Sequence, residues 1–306
     1  MIYSLTLNPT LDYVMHVGKI RYDDVNKAYG ESMIYGGKGI NVTAMLTRLG
    51  VPSRAFGFVA GFTGDEFIRQ ITADGVDHDF VRLKRGNTRV NVKIRSDIEL
   101  DFNVSGPEAD GGELSEVLSK LDEAKSGDCI VLSGSIPPNL PQDLYERIMK
   151  SFSDKNVDFV VDATGDLLLN SLKYRPLLVK PNHHELGDLF GVKTETDAEV
   201  LEYGAKLREM GARNVIVSRS RDGAILFDEE GGICSVGRVE GTQINTVGSG
   251  DSVVAGFLAG LEKTGDYGYA LRLGAACGSA TAFSEGLAQK SLIDEVFDRV
   301  VCIKTV

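Results

Sequence analysis

A rhythm in the middle of the chain constrains the fold more than any other feature. Four short runs, "CIVLSG" (129–134), "DFVVDA" (158–163), "PLLVKPN" (176–182) and "NVIVSRS" (214–220), are continuously apolar rather than alternating. A strand covered on both faces reads that way. Between them lie segments of helical pattern, such as "LPQDLYERIMKSF" and "VLEYGAKLREMGA". This alternation predicts βαβ units, hence an α/β fold built on a mostly parallel sheet. Ligands of such sheets bind beyond the carboxyl ends of the strands. Here those ends carry Ser133, Ser135, Asp162, Asn182, Glu185 and Ser218.

The first third breaks the rhythm. "RVNVKIRSDIELDFNV" (89–104) alternates on both sides of Ser96-Asp97, which predicts an antiparallel hairpin. Segments 11–18 and 27–37 also read as exposed strands. Together they predict a small β-sheet projecting from the main domain, either a decorative edge or a lid over the rim. Its strands are drawn from about 11–18, 27–36 and 88–104. With no internal repeat or linker, residues 1–306 read as a single domain carrying that lid.

Composition narrows the partners. A net charge of −11 without a Lys/Arg-rich block argues against nucleic acid, and an anionic ligand would need local sites to hold it. No stretch approaches 18 uninterrupted apolar residues, so no membrane span is expected. Cys129, Cys234, Cys277 and Cys302 are scattered without a C-x-x-C pair, which predicts reduced thiols. With no leader-like opening, the expected location is the cytoplasm.

Three motifs bear on chemistry. "NTVGSGDSVVAGF" (245–257) sets an acid at the mouth of an apolar helix. Either Asp251 or Ser252 caps that helix, or Gly248, Ser249 and Gly250 open their amides toward an anion, with Asp251 beside it as a base. "YGGKGINVTAMLTRLG" (35–50) places Val42, Met45, Leu46 and Leu49 on one helix face ending at Gly50. Lys38 and Asn41 then stand at the helix start. Neither a Walker loop nor a complete G-x-G-x-x-G occurs, which disfavours a dinucleotide enzyme. In "KPNHHEL" (180–186), Asn182 and Glu185 form either a capping box or a carboxylate site for Mg²⁺ held through water. The adjacent His183 and His184 lack the spacing of a zinc pair. On the lid, Arg89, Asn91 and Lys93 share a strand face, either solvated or turned inward as a cationic phosphate clamp. Asp12 ends the first strand, where a carboxylate is either solvated or accepts two sugar hydroxyls.

Taken together, these segments resemble the PfkB (ribokinase-like) carbohydrate kinases nearly end to end. The two glycine-rich motifs match the family's two signatures in order, with N-x-x-E between them. "LNPTLD", "LSGSIPP", "VDATGD" and "GSATAFSEGL" support the match. Within the family the likeness is greatest to 1-phosphofructokinases, with tagatose-6-phosphate kinases next. The resemblance implies a doubly wound, mostly parallel sheet flanked by helices, a β lid, and a homodimer through that lid. It implies ATP as co-substrate, Mg²⁺, and room for an assisting monovalent cation. The implied reaction moves the γ-phosphoryl of ATP to the 6-hydroxyl of fructose 1-phosphate, giving fructose 1,6-bisphosphate. Carried residue by residue, Asp251 is the base, and the amides of Gly248, Ser249, Gly250 and Asp251 are the anion hole. Asp12, Gly36, Gly37 and Asn41 hold sugar hydroxyls, and Asn91 of the lid face binds substrate. Lys38, Arg89, Lys93 and Ser135 serve the substrate's own phosphate. Lys180, Asn182 and Glu185 place nucleotide phosphates, Glu185 with Mg²⁺ through water, and Ser218, Ser220 and Gly223 border the nucleotide. A non-catalytic sugar-phosphate sensor on the same fold is the reading outside the enzyme class.

The chain also departs from the family. Arg219-Ser220 stands where leucine-glycine is usual, so Ser220 is expected to pay for a positive φ. Asn139, Ser249 and Ala163 replace a glycine, an alanine and a hydroxyl residue, and the lid segment "ELDFNVSGP" is unusual.

Overall fold

The computed structural model describes residues 1–304. A ten-stranded sheet runs through the molecule. In spatial order from one edge it comprises β5 (His78–Leu83), β4 (Ser53–Ala60), β1 (Ile2–Thr6), β8 (Cys129–Ser133), β9 (Asp158–Asp162), β10 (Leu178–Val179) and β11 (Asn214–Ser218), all parallel. Antiparallel β12 (Ala224–Phe227), β13 (Ile233–Val236) and β14 (Cys302–Lys304) complete it. The four apolar runs are β8 to β11. Their side chains alternate between two cores: Ile130 and Leu132 enter one, Cys129 and Val131 the other. That two-sided burial is why these strands read as continuous apolar runs.

Helices cover both faces. On one lie α3 (Gly111–Leu121), α4 (Leu144–Ser151), α5 (Asp166–Leu169), α6 (His183–Phe190) and α7 (Asp197–Glu209). On the other lie α1 (Lys38–Arg48), α2 (Gly61–Ala73), α8 (Ser249–Thr264), α9 (Tyr267–Ala282) and α10 (Lys290–Phe297). The chain leaves β1 for β4 and β5 on one side, then returns to β8 and its successors on the other. The strand order therefore reverses between β1 and β8, where crevices form at the carboxyl edge of such sheets. The start of α1 lies over that point: a Cβ on Gly39 would stand 2.9 Å from Ser133 Oγ and 3.3 Å from Ser4 Cβ.

The expected small second sheet is present. Its order is β3 (Ala28–Gly36), β2 (Thr10–Val17), β6 (Arg89–Arg95) and β7 (Glu99–Phe102). The β6–β7 pair is the predicted antiparallel hairpin, whereas β2 and β6 pair in parallel. Its base rests on α2, where the Tyr35 amide donates to Gln70 Oε1 at 2.8 Å and Leu11 joins the Phe67 cluster. Among the described residues no helix is long and apolar enough to cross a membrane. All four cysteines are free thiols, and Cys129, Cys234 and Cys277 are buried.

Candidate active site

The glycine turn resolves the question the sequence left open at residue 251. Neither Asp251 nor Ser252 is the N-cap of α8. That position belongs to Gly248, whose φ of 80° puts it in the left-handed region. Any other residue there would carry a Cβ 2.7 Å from Leu287 Cδ2, so glycine is required on both counts. Ser252 bonds back to the Gly248 carbonyl at 2.8 Å. Ser249, Gly250 and Asp251 form the first turn of α8; the Ser249 amide donates to the Thr246 carbonyl at 3.2 Å, and no helix carbonyl can reach the amides of Gly250 and Asp251. The positive end of the helix dipole adds to them. The Ser249 hydroxyl is buried there without a partner.

Asp251 is buried at this amide-rich end, and the Asn41 amide donates to its Oδ2 at 2.7 Å. Burial, reinforced by the negative charge of Asp162, pushes its pKa up to about 6; Asn41, Lys38 and Lys180 hold it from rising further. A carboxylate so placed is a stronger proton acceptor than a solvated one and still ionised at neutral pH.

Opposite it lies a cluster whose hub the sequence reading left as a mere strand-end residue. Asp162 closes β9 and is 1% exposed. Its Oδ1 takes Lys38 Nζ at 3.0 Å and Lys180 Nζ at 3.7 Å, while Oδ2 has no partner. Burial works against the Asp162 charge, but the two lysines outweigh it and hold the carboxyl below its usual range. Burial likewise works against the Lys38 charge; Asp162, Asp251 and Glu185 outweigh it and hold that pKa up. Lys180 flanks the glycine turn, since a Cβ on Gly250 would meet its Nζ at 3.2 Å. Two ammonium groups thus stand beside free helix amides, a place suited to a polyanion.

The remaining candidates fall around this centre. Asn182 and Glu185 form a full capping box on α6: the Glu185 amide donates to Asn182 Oδ1 at 2.9 Å, and the Asn182 amide to Glu185 Oε2 at 2.8 Å. The structural alternative in that motif is therefore realised, with Glu185 Oε1 outside the box. Ser218 lies beside Asn182 through a parallel bridge, its amide donating to the Pro181 carbonyl at 3.1 Å. Ser220 takes a φ of 51°, the left-handed geometry expected of it. Gly223 closes that loop at φ 89°, with the Val236 carbonyl in the space a Cβ would need. Arg219 ion-pairs with Asp197 at the start of α7, which pins the loop despite the missing glycine.

Asp12 does not end the first strand, which stops at Thr6; it lies in β2 of the small sheet, where it receives the Asn91 amide at 3.1 Å and Lys93 Nζ at 3.4 Å. Lys93 also approaches Asp101 at 3.6 Å, so its charge is directed at two carboxylates. That differs from the expected phosphate contact, because strand register sets Lys93 opposite Asp101 of the unusual lid segment. Asn41 differs too: its amide is spent on Asp251 rather than free for sugar. Gly36 connects the two groups, for a Cβ there would stand 3.5 Å from Asp12 Oδ2. Gly37, the N-cap of α1, sits at φ 126° against Thr6 and Pro9. Arg89 donates to the Asn8 and Val104 carbonyls at 3.2 and 3.3 Å and has no carboxylate bonded to it. Burial pulls its pKa below the usual value, with Asp12 opposing. It lines a cavity of about 510 Å³ with Phe62, Thr63, Asn87, Ser105 and Gly106. Ser135 is exposed on the loop after β8. Asn139, in place of a glycine, donates to the Ala109 carbonyl at 2.7 Å.

Known proteins fit this arrangement. A 1-phosphofructokinase of Bacillus subtilis is 41% identical over 300 residues, covering 98% of each chain. A D-tagatose-1-phosphate kinase of Bacillus licheniformis is 32% identical, again covering 98% of each. The crystal structure of phosphofructokinase-2 from Escherichia coli in complex with substrates and products superposes with a TM-score of 0.90 at 26% identity, covering 97% of this chain and 98% of that one. The model of the pfkB family carbohydrate kinases matches residues 5–294, and the chain belongs to that family.

Proposed function

We propose that this protein is an ATP-dependent ketohexose-1-phosphate kinase, acting on fructose 1-phosphate at its 6-hydroxyl to give fructose 1,6-bisphosphate. One observation bears most of the weight: the buried Asp251 carboxylate, with its raised pKa, beside the open amides of α8. In this reading Asp251 accepts the hydroxyl proton as the sugar oxygen bonds to the γ-phosphorus. The bond from that phosphorus to the bridging oxygen of ADP breaks, and the amides of Gly250 and Asp251 hold the charge on the equatorial oxygens. Lys180 faces the nucleotide phosphates, and so does Lys38, in place of the sugar phosphate of the sequence reading, because both lysines share Asp162 Oδ1. Asp12 with Asn91 receives sugar hydroxyls, and Arg89 takes the phosphate already on the sugar.

The residues also fit a Mg²⁺-bound nucleotide. The glycine turn leaves a cradle that a Cβ would fill, and Glu185 keeps one oxygen uncommitted. One free carboxylate suits Mg²⁺, which retains waters and is shared with phosphates. Bound there, the ion would offset charge on the transferring phosphates. The segment from Ser218 to Gly223 borders the nucleotide. The lid leaves Tyr29, Met33, Ile34 and Phe102 exposed, which supports a homodimer through it; sedimentation as a monomer would remove that element.

Both curated relatives are named for an acceptor, fructose or tagatose, phosphorylated at carbon 1. The second reading is therefore tagatose 1-phosphate, in place of the tagatose 6-phosphate of the sequence reading. A coupled ADP-release assay across fructose 1-phosphate, tagatose 1-phosphate, fructose 6-phosphate, tagatose 6-phosphate and free fructose tests the assignment. Fructose 1-phosphate should give the highest kcat/KM. A higher value for fructose 6-phosphate would overturn the proposed specificity, and no ADP release with any sugar would favour a sensor.

A further inference from the structure

Within the site the base and the lysines have been given roles, but the carboxylate between them has not. Asp162 is the most buried charged group of the centre, and it reaches neither the glycine turn nor the lid through any hydrogen bond. Its contacts are the two ammonium groups, Lys38 at 3.0 Å and Lys180 at 3.7 Å. A buried carboxylate costs several kcal/mol in desolvation unless paired, so its retention at this depth calls for work done through its partners. Lys38 stands on the first residue of α1 and Lys180 just beyond β10. Both have long, flexible stems that would otherwise sample many rotamers. Asp162 draws the two heads to one point below the α8 turn.

We propose that Asp162 is a positioning residue of the phosphoryl-transfer centre: it holds Lys38 and Lys180 in place below the α8 turn before the nucleotide arrives, and its charge opposes theirs there. This rests on the reading of Asp251 as the base. The charged and polar groups that face Asp251 come from every element around it. Asp162 comes from β9, Lys180 from the segment after β10, and Lys38 and Asn41 from α1; Glu185 of α6 bears on Lys38. Of these only Asp162 raises the proton affinity of Asp251, while the lysines and Asn41 lower it. The same carboxylate therefore sets two quantities at once. It places the cations, and it cancels part of their effect on the base, which would otherwise be left too weak.

The two effects separate in a pH–rate profile. Asp162→Asn keeps the shape and an acceptor oxygen but removes the charge. Asp251 then faces two cations without an opposing anion. The acid limb of kcat/KM should move down by about one pH unit, and turnover at pH 8 should fall roughly 10–100-fold as the lysines lose their anchor. The sugar phosphate titrates in the same range, so the difference between variant and wild type is the reading. A merely structural residue would lower turnover and leave the limb in place. Lys38→Met carries the same test in the opposite direction, with Lys180 Nζ at 3.7 Å left to pair the Asp162 carboxylate. Removing that cation should move the limb up. An unmoved limb in both variants overturns the proposal. Asp251→Asn in parallel tells the two readings apart: if it is inactive while Asp162→Asn keeps both limb and turnover, only the positioning role falls. If Asp251→Asn keeps its turnover, the base assignment fails and the proposal fails with it.

Discussion

Replacing Gly39 by alanine probes how tightly α1 is seated over the sheet, and so how the base is aimed. Gly39 lies in the first turn of α1, over the point where the strand order reverses. A Cβ there would stand 2.9 Å from Ser133 Oγ, 3.3 Å from Ser4 Cβ and closer still to Thr6 Oγ1. All three residues are at most 2% exposed, on strands in the interior of the sheet, so none can swing aside. Overpacking of this kind costs about 1–3 kcal/mol. The better helix propensity of alanine offsets about 1 kcal/mol of that, leaving a net loss of up to about 2 kcal/mol. The least costly relief is to lift the start of α1 from the sheet, and that end bears Lys38 and Asn41. A shift of about 1 Å would break the 2.7 Å bond from Asn41 to Asp251 and cost up to about 10²-fold in rate. Urea unfolding at pH 8 measures the first effect and ADP release the second. A variant as stable and as active as the wild type would refute this seating of the helix.

Three further outcomes follow from the same geometry. Ser220→Gly relieves a left-handed residue worth about 1–2 kcal/mol, set against about 0.4–1 kcal/mol of added freedom in the unfolded chain. Unfolding should show a gain of up to roughly 1.6 kcal/mol, and a clear loss would mean that the loop is unstrained. Arg89→Ala should raise the KM of the sugar phosphate about 10–100-fold with the KM of ATP unchanged; an effect confined to ATP would sink the clamp. Asp251 binds its proton more tightly in the folded protein, near pH 6, than at its unperturbed 3.8. The contribution of Asp251 to wild-type stability should therefore fall as pH rises from about 4 through 6, and level off above. Asp251→Asn, which carries no charge, should be more stable than wild type at pH 8 by about 1–3 kcal/mol, and the gain should vanish below pH 4. An equal gain at every pH would show that ionisation is not its source.

The parallel sheet was legible because strands buried on both faces leave continuous apolar runs, as β8 and β9 do. The hairpin of β6 and β7 was legible because a half-exposed strand alternates. Glycines at 248 and 37 marked the helix starts through their backbone geometry, and Asp251 was recognisable as an acid at such a start. What stayed hidden was pairing across the sheet. Nothing in the spacing of "GGKG", "VVDA" and "LVKP" shows that Lys38, Asp162 and Lys180 converge, since β9 and β10 become neighbours only when the sheet assembles. For the same reason Lys93 was assigned to a phosphate: its partners Asp12 and Asp101 lie on the flanking strands, in registers no local pattern reveals. Asn182 and Glu185 were ambiguous because a capping box and a ligand-facing pair use the same residues, and in this fold they are compatible.

The most direct test of the account is turnover of Asp251→Asn on fructose 1-phosphate. The variant should fold and bind ATP with an unchanged Kd, because the amides of α8 and the two lysines are untouched, while kcat falls about 10²–10⁴-fold. Turnover within a few-fold of wild type would contradict the account, since Asp251 is the acidic residue in the first turn of α8.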